Sequence, residues 1–475
     1  MNKPLVVDLD GTLLRSDMLI ESVLAYSKKG IRPVFHLPFW LLEGKAILKA
    51  RLADRVDLSV EVLPYNTEVI DFIKQAKREQ RQIVLATGTH KMFAEKIAEH
   101  LGLFDLVIAT ENGINLSARS KRDCLIDQFG EKGFDYIGNS HDDVVVWNAA
   151  DKTYLADPEP GVKKKMDLQG GVARVFQTRQ SSLRTFFRAL RPHQWLKNLL
   201  LFIPLIASHQ LTNITLIADA LLAFVLFSMT ASSGYLINDL LDLESDRYHP
   251  RKRNRPLASG ELPILIGLIS APLLFLASLS ASLILLSATF TISLVTYYLL
   301  SVVYSQYLKK IPLVDTIMLA GLYTVRILAG AFACSIIPTF WILAFSVFFF
   351  LSLAMLKRYA ELLDLQTKGD TAKTSGRGYY PSDIQIIASL GTASGYLSIL
   401  VLALYIQDAR TIAMYKTHEL IWLACPILLF WISRMWMLTH RGQMHDDPVL
   451  FAIKDRTSLI TATLFACIFF LAILV

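Results

Sequence analysis

Leu236-Ile237-Asn238-Asp239-Leu240-Leu241-Asp242-Leu243-Glu244-Ser245-Asp246 ends an apolar run that starts near residue 214. If the helix of that run continues through the stretch, Asp239, Asp242 and Asp246 stand at i, i+3 and i+7 and share one face. Like charges so placed repel unless a cation bridges them, and ionisable groups at the end of a span are costly and usually functional. The simplest account is a Mg²⁺ site that presents a diphosphate, with Asn238 beside it. His249, Arg251, Lys252, Arg253, Asn254, Arg255 and Pro256 follow directly, a basic cradle suited to phosphate oxygens. A solvated charged loop would explain the basic residues but not the helical spacing of the aspartates.

Outward from this stretch, nine apolar segments lie near 197–208, 214–236, 263–285, 288–304, 313–333, 338–356, 384–406, 418–438 and 457–475. Most reach the ~20 residues that cross a bilayer, and the first is short and partly interfacial. The loops at 238–262, 305–312, 357–383 and 439–456 carry Arg247, Arg251, Lys252, Arg253, Arg255, Lys309, Lys310, Lys357, Arg358, Lys368, Lys373, Arg377, Arg441, Lys454 and Arg456; the opposite loops carry Arg410 and Lys416. Fifteen against two predicts that the first set of loops and the N-terminal domain face the cytoplasm, and that the C-terminus faces outward. The net charge of +7 is thereby explained by a membrane surface rather than by nucleic acid. A second cluster, Tyr304 to Lys310, is followed by Asp315, and Arg326 lies further along the same apolar run. A buried arginine there asks for an anionic partner. Lys309 is a candidate phosphate ligand, whereas Lys310 reads as a loop charge. Lys357-Arg358-Tyr359-Ala360-Glu361, Arg377-Gly378-Tyr379, Asp446-Asp447-Pro448 and Asp455-Arg456 are as readily juxtamembrane charges as functional ones.

Residues 1–195 mix charged and apolar positions as a soluble domain does. Pro4-Leu5-Val6-Val7-Asp8-Leu9-Asp10-Gly11-Thr12 reads as strand, then loop, and its apolar run is too short for a signal peptide. A mostly helical cap follows over about 15–80, with the apolar patch Phe35–Leu42 either touching the membrane surface or packing the cap. Strands are expected at Gln82–Ala86, Leu106–Ala109 and Asp135–Ile137, and alternation with helices implies a parallel, doubly wound, Rossmann-like α/β sheet. Pro158–Gln180 reads as domain end and linker. The expected division is a phosphatase-like domain over 1–175, a linker and interfacial segment over 176–195, and an all-α polytopic membrane bundle over 196–475. Cys124, Cys334, Cys425 and Cys467 show no paired spacing, so neither disulfides nor zinc are expected.

Asp8 and Asp10 point the same way at the C-terminal end of the first strand, where open α/β sheets bind ligands. One carboxylate can attack phosphorus while the other handles the leaving-group proton, and a cation must let an anionic ester approach. These residues resemble the haloacid dehalogenase superfamily of phosphatases. The resemblance implies Asp8 as nucleophile and Asp10 as acid/base, with Thr87 as the phosphate-binding hydroxyl and Lys121, next to Arg122, as the neutralising lysine. Gly138-Asn139-Ser140-His141-Asp142-Asp143 matches the acidic motif that completes a Mg²⁺ site with Asp8 and Asp10, through Asn139 and Asp143. Asn139 stands where an aspartate is usual.

The membrane half resembles the UbiA family of intramembrane prenyltransferases, through the Asn238–Asp246 stretch. Within that family the likeness is to the polyprenyl-phosphate phosphoribosyltransferases of the decaprenyl type, carried by Arg191-Pro192-His193-Gln194-Trp195-Leu196-Lys197-Asn198, by Lys252-Arg253-Asn254-Arg255-Pro256 and by Lys357-Arg358-Tyr359. Leu319 stands where aromatic prenyltransferases place the second aspartate of a pair with Asp315. The resemblance implies transfer of 5-phosphoribosyl from phosphoribosyl pyrophosphate to a polyprenyl phosphate at the bacterial inner membrane, as part of cell-envelope chemistry. Asp239, Asp242 and Asp246 would hold Mg²⁺; Asn238, Lys252, Arg253, Arg255, Tyr304, Lys309, Asp315, Arg326 and Lys197 would bind substrate. The fused phosphatase would then remove the 5-phosphate. Two rivals stay open: an aromatic prenyltransferase using a prenyl diphosphate, and an N-terminal module without turnover. Oligomeric state and lipid length are not legible.

Overall fold

The computed structural model describes residues 3–30, 33, 35–111, 115–177, 183–367, 377–444 and 447–474. Lys368, Lys373 and Asp446 lie outside the described residues. The chain divides into two compact units, Met1–Arg191 with Tyr235–Pro272, and Pro192–Gly234 with Leu273–Val475.

The first unit is built on a six-stranded parallel sheet in the order β3-β2-β1-β4-β5-β6. Its strands are β1 Leu5–Val7, β2 Ile83–His90, β3 Leu106–Thr110, β4 Asp135–Gly138, β5 Thr153–Ala156 and β6 Arg174–Phe176. Alternation sends Leu5 and Val7 into one apolar layer with Ile73 and Phe93, and Val6 into the other with Val84 and Trp147. Both faces of the sheet are therefore covered, as a parallel sheet requires. Of the stretch that reads as domain end and linker, 158–177 holds the helix Val162–Gln169 and the edge strand β6, which pairs with β5. The cap is helical, with Met18–Ser27, His36–Leu42 and Lys45–Ala53. Of the two readings of the apolar patch, Trp40 packs the cap, at 5.3 Å from the Tyr26 ring, while Phe35, Phe39 and Leu42 are exposed.

The membrane half holds eight helices long and apolar enough to cross a bilayer among the described residues, not nine: Ile214–Leu241, Ile264–Leu285, Ala288–Gln306, Val314–Ala333, Phe340–Thr367, Pro381–Ile406, His418–His440 and Arg456–Leu474. The expected first segment is instead a 3₁₀ run, Pro192–Phe202, followed by the short helix Ile203–Ala207. In the second unit this run packs on the Val314–Ala333 helix, where a Cβ on Gly330 would lie 2.0 Å from the Leu201 carbonyl oxygen. Gly391 likewise admits the Trp436 ring. Small residues let membrane helices approach in this way.

Candidate phosphoryl-transfer sites

β1 delivers Asp8 and Asp10 to the carboxyl edge of the sheet, beside the point where the order reverses between β2 and β4. Lys121, on the helix Ala118–Phe129, places Nζ 2.7 Å from Asp8 Oδ1 and 3.0 Å from the Tyr136 hydroxyl. Arg122 turns away and pairs with Asp123. Asp10 accepts the Met18 amide at 2.8 Å and the Thr89 hydroxyl at 2.7 Å. Thr87 is buried and its hydroxyl accepts the Thr89 amide. Asn139 accepts the Thr12 hydroxyl at 3.3 Å, and Gly11, at φ +74°, leaves room for its side chain: a Cβ would sit 2.2 Å from Asn139 Nδ2. Asp143 accepts the amides of Asn139 and Ser140, and hydroxyls from Ser140 and Tyr136. Its carboxylate thus shapes the loop that presents Asn139.

Burial pushes Asp8 up to about 7, against the pull of Lys121, and pushes Asp10 up to about 6. Lys121 is held above the ordinary lysine range: burial would lower it, but Asp8 and Asp143 outweigh that. These groups open into a cavity of about 950 Å³. The available donors are all oxygens, which suits a hard divalent cation. Among the described residues no three His, Cys, Asp or Glu side chains converge as a ready-made metal cluster. Two cavity residues escaped the sequence reading. Thr89 hides two positions beyond Thr87, and Lys49 reaches from the cap to the Gly88 carbonyl at 2.5 Å and Asn115 at 3.0 Å.

The second acidic group lies in the same unit. The helix Ile214–Leu241 breaks only at Asp242, since Asp242 N–H still donates to the Asn238 carbonyl and Asp246 N–H to that of Asp242, both at 2.8 Å. Asp239 and Asp246 are buried, and the Arg255 guanidinium bridges both carboxylates. Arg191, which the sequence placed only within the resembling Arg191–Asn198 stretch, also pairs with Asp239 and stacks on Tyr235. Burial raises Asp246 despite Arg255. Asp242 is half-buried, and Lys252 and Arg253 are exposed on the next turn. That a guanidinium bridges these carboxylates fits a position that seeks positive charge.

The charged cluster of the second unit is tighter than the sequence suggested. Asp315 is fully buried against Arg358 at 2.5 Å, the Tyr304 hydroxyl at 2.7 Å and Arg377 at 3.4 Å, and Arg358 and Arg377 also meet Glu361. Lys309 is half-buried on the 3₁₀ turn Leu308–Lys310. Arg326 does not join them. Eleven residues along the helix place it about 16 Å from Asp315, and instead of an anion it meets Asn198 at 3.0 Å, the Tyr297 hydroxyl at 2.9 Å and three aromatic faces. Neutral oxygens and ring quadrupoles replace the expected carboxylate. Lys197 and Lys357 converge on Asp447 at 2.8 and 3.1 Å. Burial would raise Asp447, but the two lysines hold it well below the usual carboxylate range.

The chain belongs to the UbiA prenyltransferase family, whose model matches residues 199–459. A haloacid dehalogenase-like hydrolase model matches residues 5–124, so a transferase domain and a hydrolase-type domain, both of enzyme families, share one multi-pass membrane protein. Along nearly all its length it is similar to the uncharacterised protein y4nM of Sinorhizobium fredii, at 33% identity over 473 residues, 99% of this chain and 91% of that one. It is 37% identical over 276 residues to the nodulation protein NoeC of Azorhizobium caulinodans, covering 58% of this chain and 89% of that one. It is 32% identical over 274 residues to decaprenyl-phosphate phosphoribosyltransferase of Mycolicibacterium smegmatis, covering 57% and 86%. Both families are Mg²⁺-dependent in general.

Proposed function

We propose that the membrane half transfers 5-phosphoribosyl from phosphoribosyl pyrophosphate to a polyprenyl phosphate, and that the N-terminal domain, about residues 1–175, dephosphorylates the product. The observation that carries this reading is the buried Asp239–Arg255–Asp246 arrangement, taken with the likeness to phosphoribosyltransferases. A lipid phosphate oxygen attacks the anomeric carbon, the carbon–oxygen bond to diphosphate breaks, and diphosphate leaves with the electron pair. Asp239, Asp242 and Asp246 would hold Mg²⁺, with Asn238 beside them; the cation supplies charge neutralisation on the leaving group. Arg255, Arg253, Lys252 and Lys309 bind phosphate oxygens, Lys197 and Arg326 serve the same substrates, and Asp315 with Tyr304 orients Arg358. In the soluble domain Asp8 attacks phosphorus, Asp10 protonates the departing ribose oxygen, and water then releases phosphate with Asp10 as base. Thr87 and Lys121 steady the phosphoryl group. Asp8, the Asp10 carbonyl and Asn139, backed by Asp143, would hold the second Mg²⁺. The excess of basic residues in one set of loops supports a soluble domain on the cytoplasmic face of a bacterial inner membrane.

Membranes given polyprenyl phosphate and labelled phosphoribosyl pyrophosphate should form a labelled lipid without a 5-phosphate. Asp8→Asn should accumulate the phosphorylated lipid instead, read by mass analysis; an unchanged product mixture would end the two-step reading. Metal binding gives an independent check. With Asp8 near 7 and Asp10 near 6, protons occupy the site at pH 6 and must leave as a cation binds. Mg²⁺ affinity should therefore climb from pH 5 to about 8 and level off above. Calorimetry in two buffers should register proton release at pH 6 that fades by pH 8, and a flat affinity across the window would contradict the burial argument.

A further inference from the structure

The cavity that begins at Asp8 and Asp10 does not end within the hydrolase-type domain. Its lining includes Pro263, Ile264, Leu265 and Ile266, at the start of the membrane-spanning helix Ile264–Leu285. Leu265 is 50% and Ile266 38% exposed, so an apolar, lipid-type surface faces the rim of a phosphate-handling cavity. This wall is fixed rather than incidental. Glu21, on the first cap helix, receives both Arg247 nitrogens at 2.6 and 3.2 Å in a fully buried pair, and Arg247 also donates to the Ala258 carbonyl. Glu21 in turn accepts the hydroxyl of Ser16, a cavity residue, at 2.5 Å. Ser59 donates to Glu244 at 2.6 Å, and Gly260, at φ +71°, lies so close to Arg15 that a Cβ would fall 2.6 Å from its Cβ. A cavity of about 950 Å³ is at the large end for small-molecule sites and far exceeds a bare phosphate.

We infer that the phosphatase cavity is completed by the head of the Ile264–Leu285 span and selects phosphomonoesters whose leaving group is anchored in the bilayer. The phosphoryl group sits at Asp8 and Asp10, Lys45 and Lys49 border its approach, and the alkyl portion leaves across Leu265 and Ile266. The inference rests on the phosphatase reading of Asp8 and Asp10, but not on the identity of the lipid. Full-length protein in phosphatidylcholine nanodiscs, given dodecyl phosphate or ethyl phosphate, tests it. The wild type should favour dodecyl phosphate in kcat/KM by about tenfold or more, since buried methylenes contribute to binding. Leu265→Gln with Ile266→Gln should lower that ratio about tenfold; partitioning into the bilayer is common to both proteins and cancels. A wild-type ratio near one, turnover of neither ester, or a variant that loses both activities with its ratio intact overturns the inference. Should the ratio behave as expected while Asp8→Asn leaves the labelled lipid mixture unchanged, the two-step reading alone falls.

Discussion

Replacing Arg358 with methionine should cost the membrane half about 3–5 kcal/mol, because it strips the counter-charge from a carboxylate that water cannot reach. Asp315 has no exposed side-chain surface, and two Arg358 nitrogens hold its two oxygens at 2.5 and 3.2 Å. Arg377 compensates only in part: it stands 3.4 Å away and is 24% exposed in its side chain. Removing Arg377 should cost about 1 kcal/mol or less, as partly exposed pairs do. The decisive comparison is the double variant Arg358→Met with Asp315→Leu. If an uncompensated buried charge is the cause, the double variant should recover most of the stability lost by the single one. Thermal unfolding in detergent should show a fall of roughly 10 °C for Arg358→Met and a much smaller one for the pair. Equal losses would mean that Arg358 acts through packing alone.

That pairing also marks where sequence reading stops. Asp315 and Arg358 are 43 residues apart, and Glu21 and Arg247 are 226 apart; no periodicity reports such partners, so Asp315 reads as a substrate ligand and Arg247 and Arg358 fall among the basic loop residues. Local patterns fared better. Val6 and Val7 between Leu5 and Asp8 declare a buried strand, and a turn that needs Gly11 at positive φ follows it, so the sheet and its acidic edge were legible. β5 and β6 were not, since four and three residues are too few to display alternation against a Pro- and Gly-rich background. Adjacent Lys121 and Arg122 were chemically equivalent until the helix turned one toward Asp8 and the other toward solvent. The segment 197–208 reads as short and partly interfacial from its residue count, but its division into a 3₁₀ run and the short helix Ile203–Ala207 has no periodic signature in so few residues. Arg326 was assigned an anion because buried guanidinium needs partners, yet Asn198, Tyr297 and the Leu322 carbonyl supply neutral ones.

Asp239→Asn should abolish labelled lipid altogether, a loss of roughly a thousandfold or more, since a metal-neutralised leaving group supplies several kcal/mol and each 1.36 kcal/mol is tenfold. The substitution is nearly isosteric, so shape survives and charge does not. The folded state should tolerate it, because Asp239 shares its cations: Arg255 keeps Asp246, and Arg191 keeps its stacking on Tyr235. Asp246→Asn should behave alike, whereas Asp242→Asn, at the half-buried break of the helix, should lose less if Asp239 and Asp246 form the principal pair. Arg255→Gln separates two roles. As a phosphate ligand its loss should raise the KM for phosphoribosyl pyrophosphate; as a mere structural bridge its loss should lower stability and leave KM unmoved. The soluble domain supplies the control, because hydrolysis of ethyl phosphate depends on Asp8 and not on Asp239. A variant at Asp239 that keeps ester hydrolysis and loses label transfer locates the transferase chemistry at that aspartate; retained transfer would place the reacting diphosphate elsewhere.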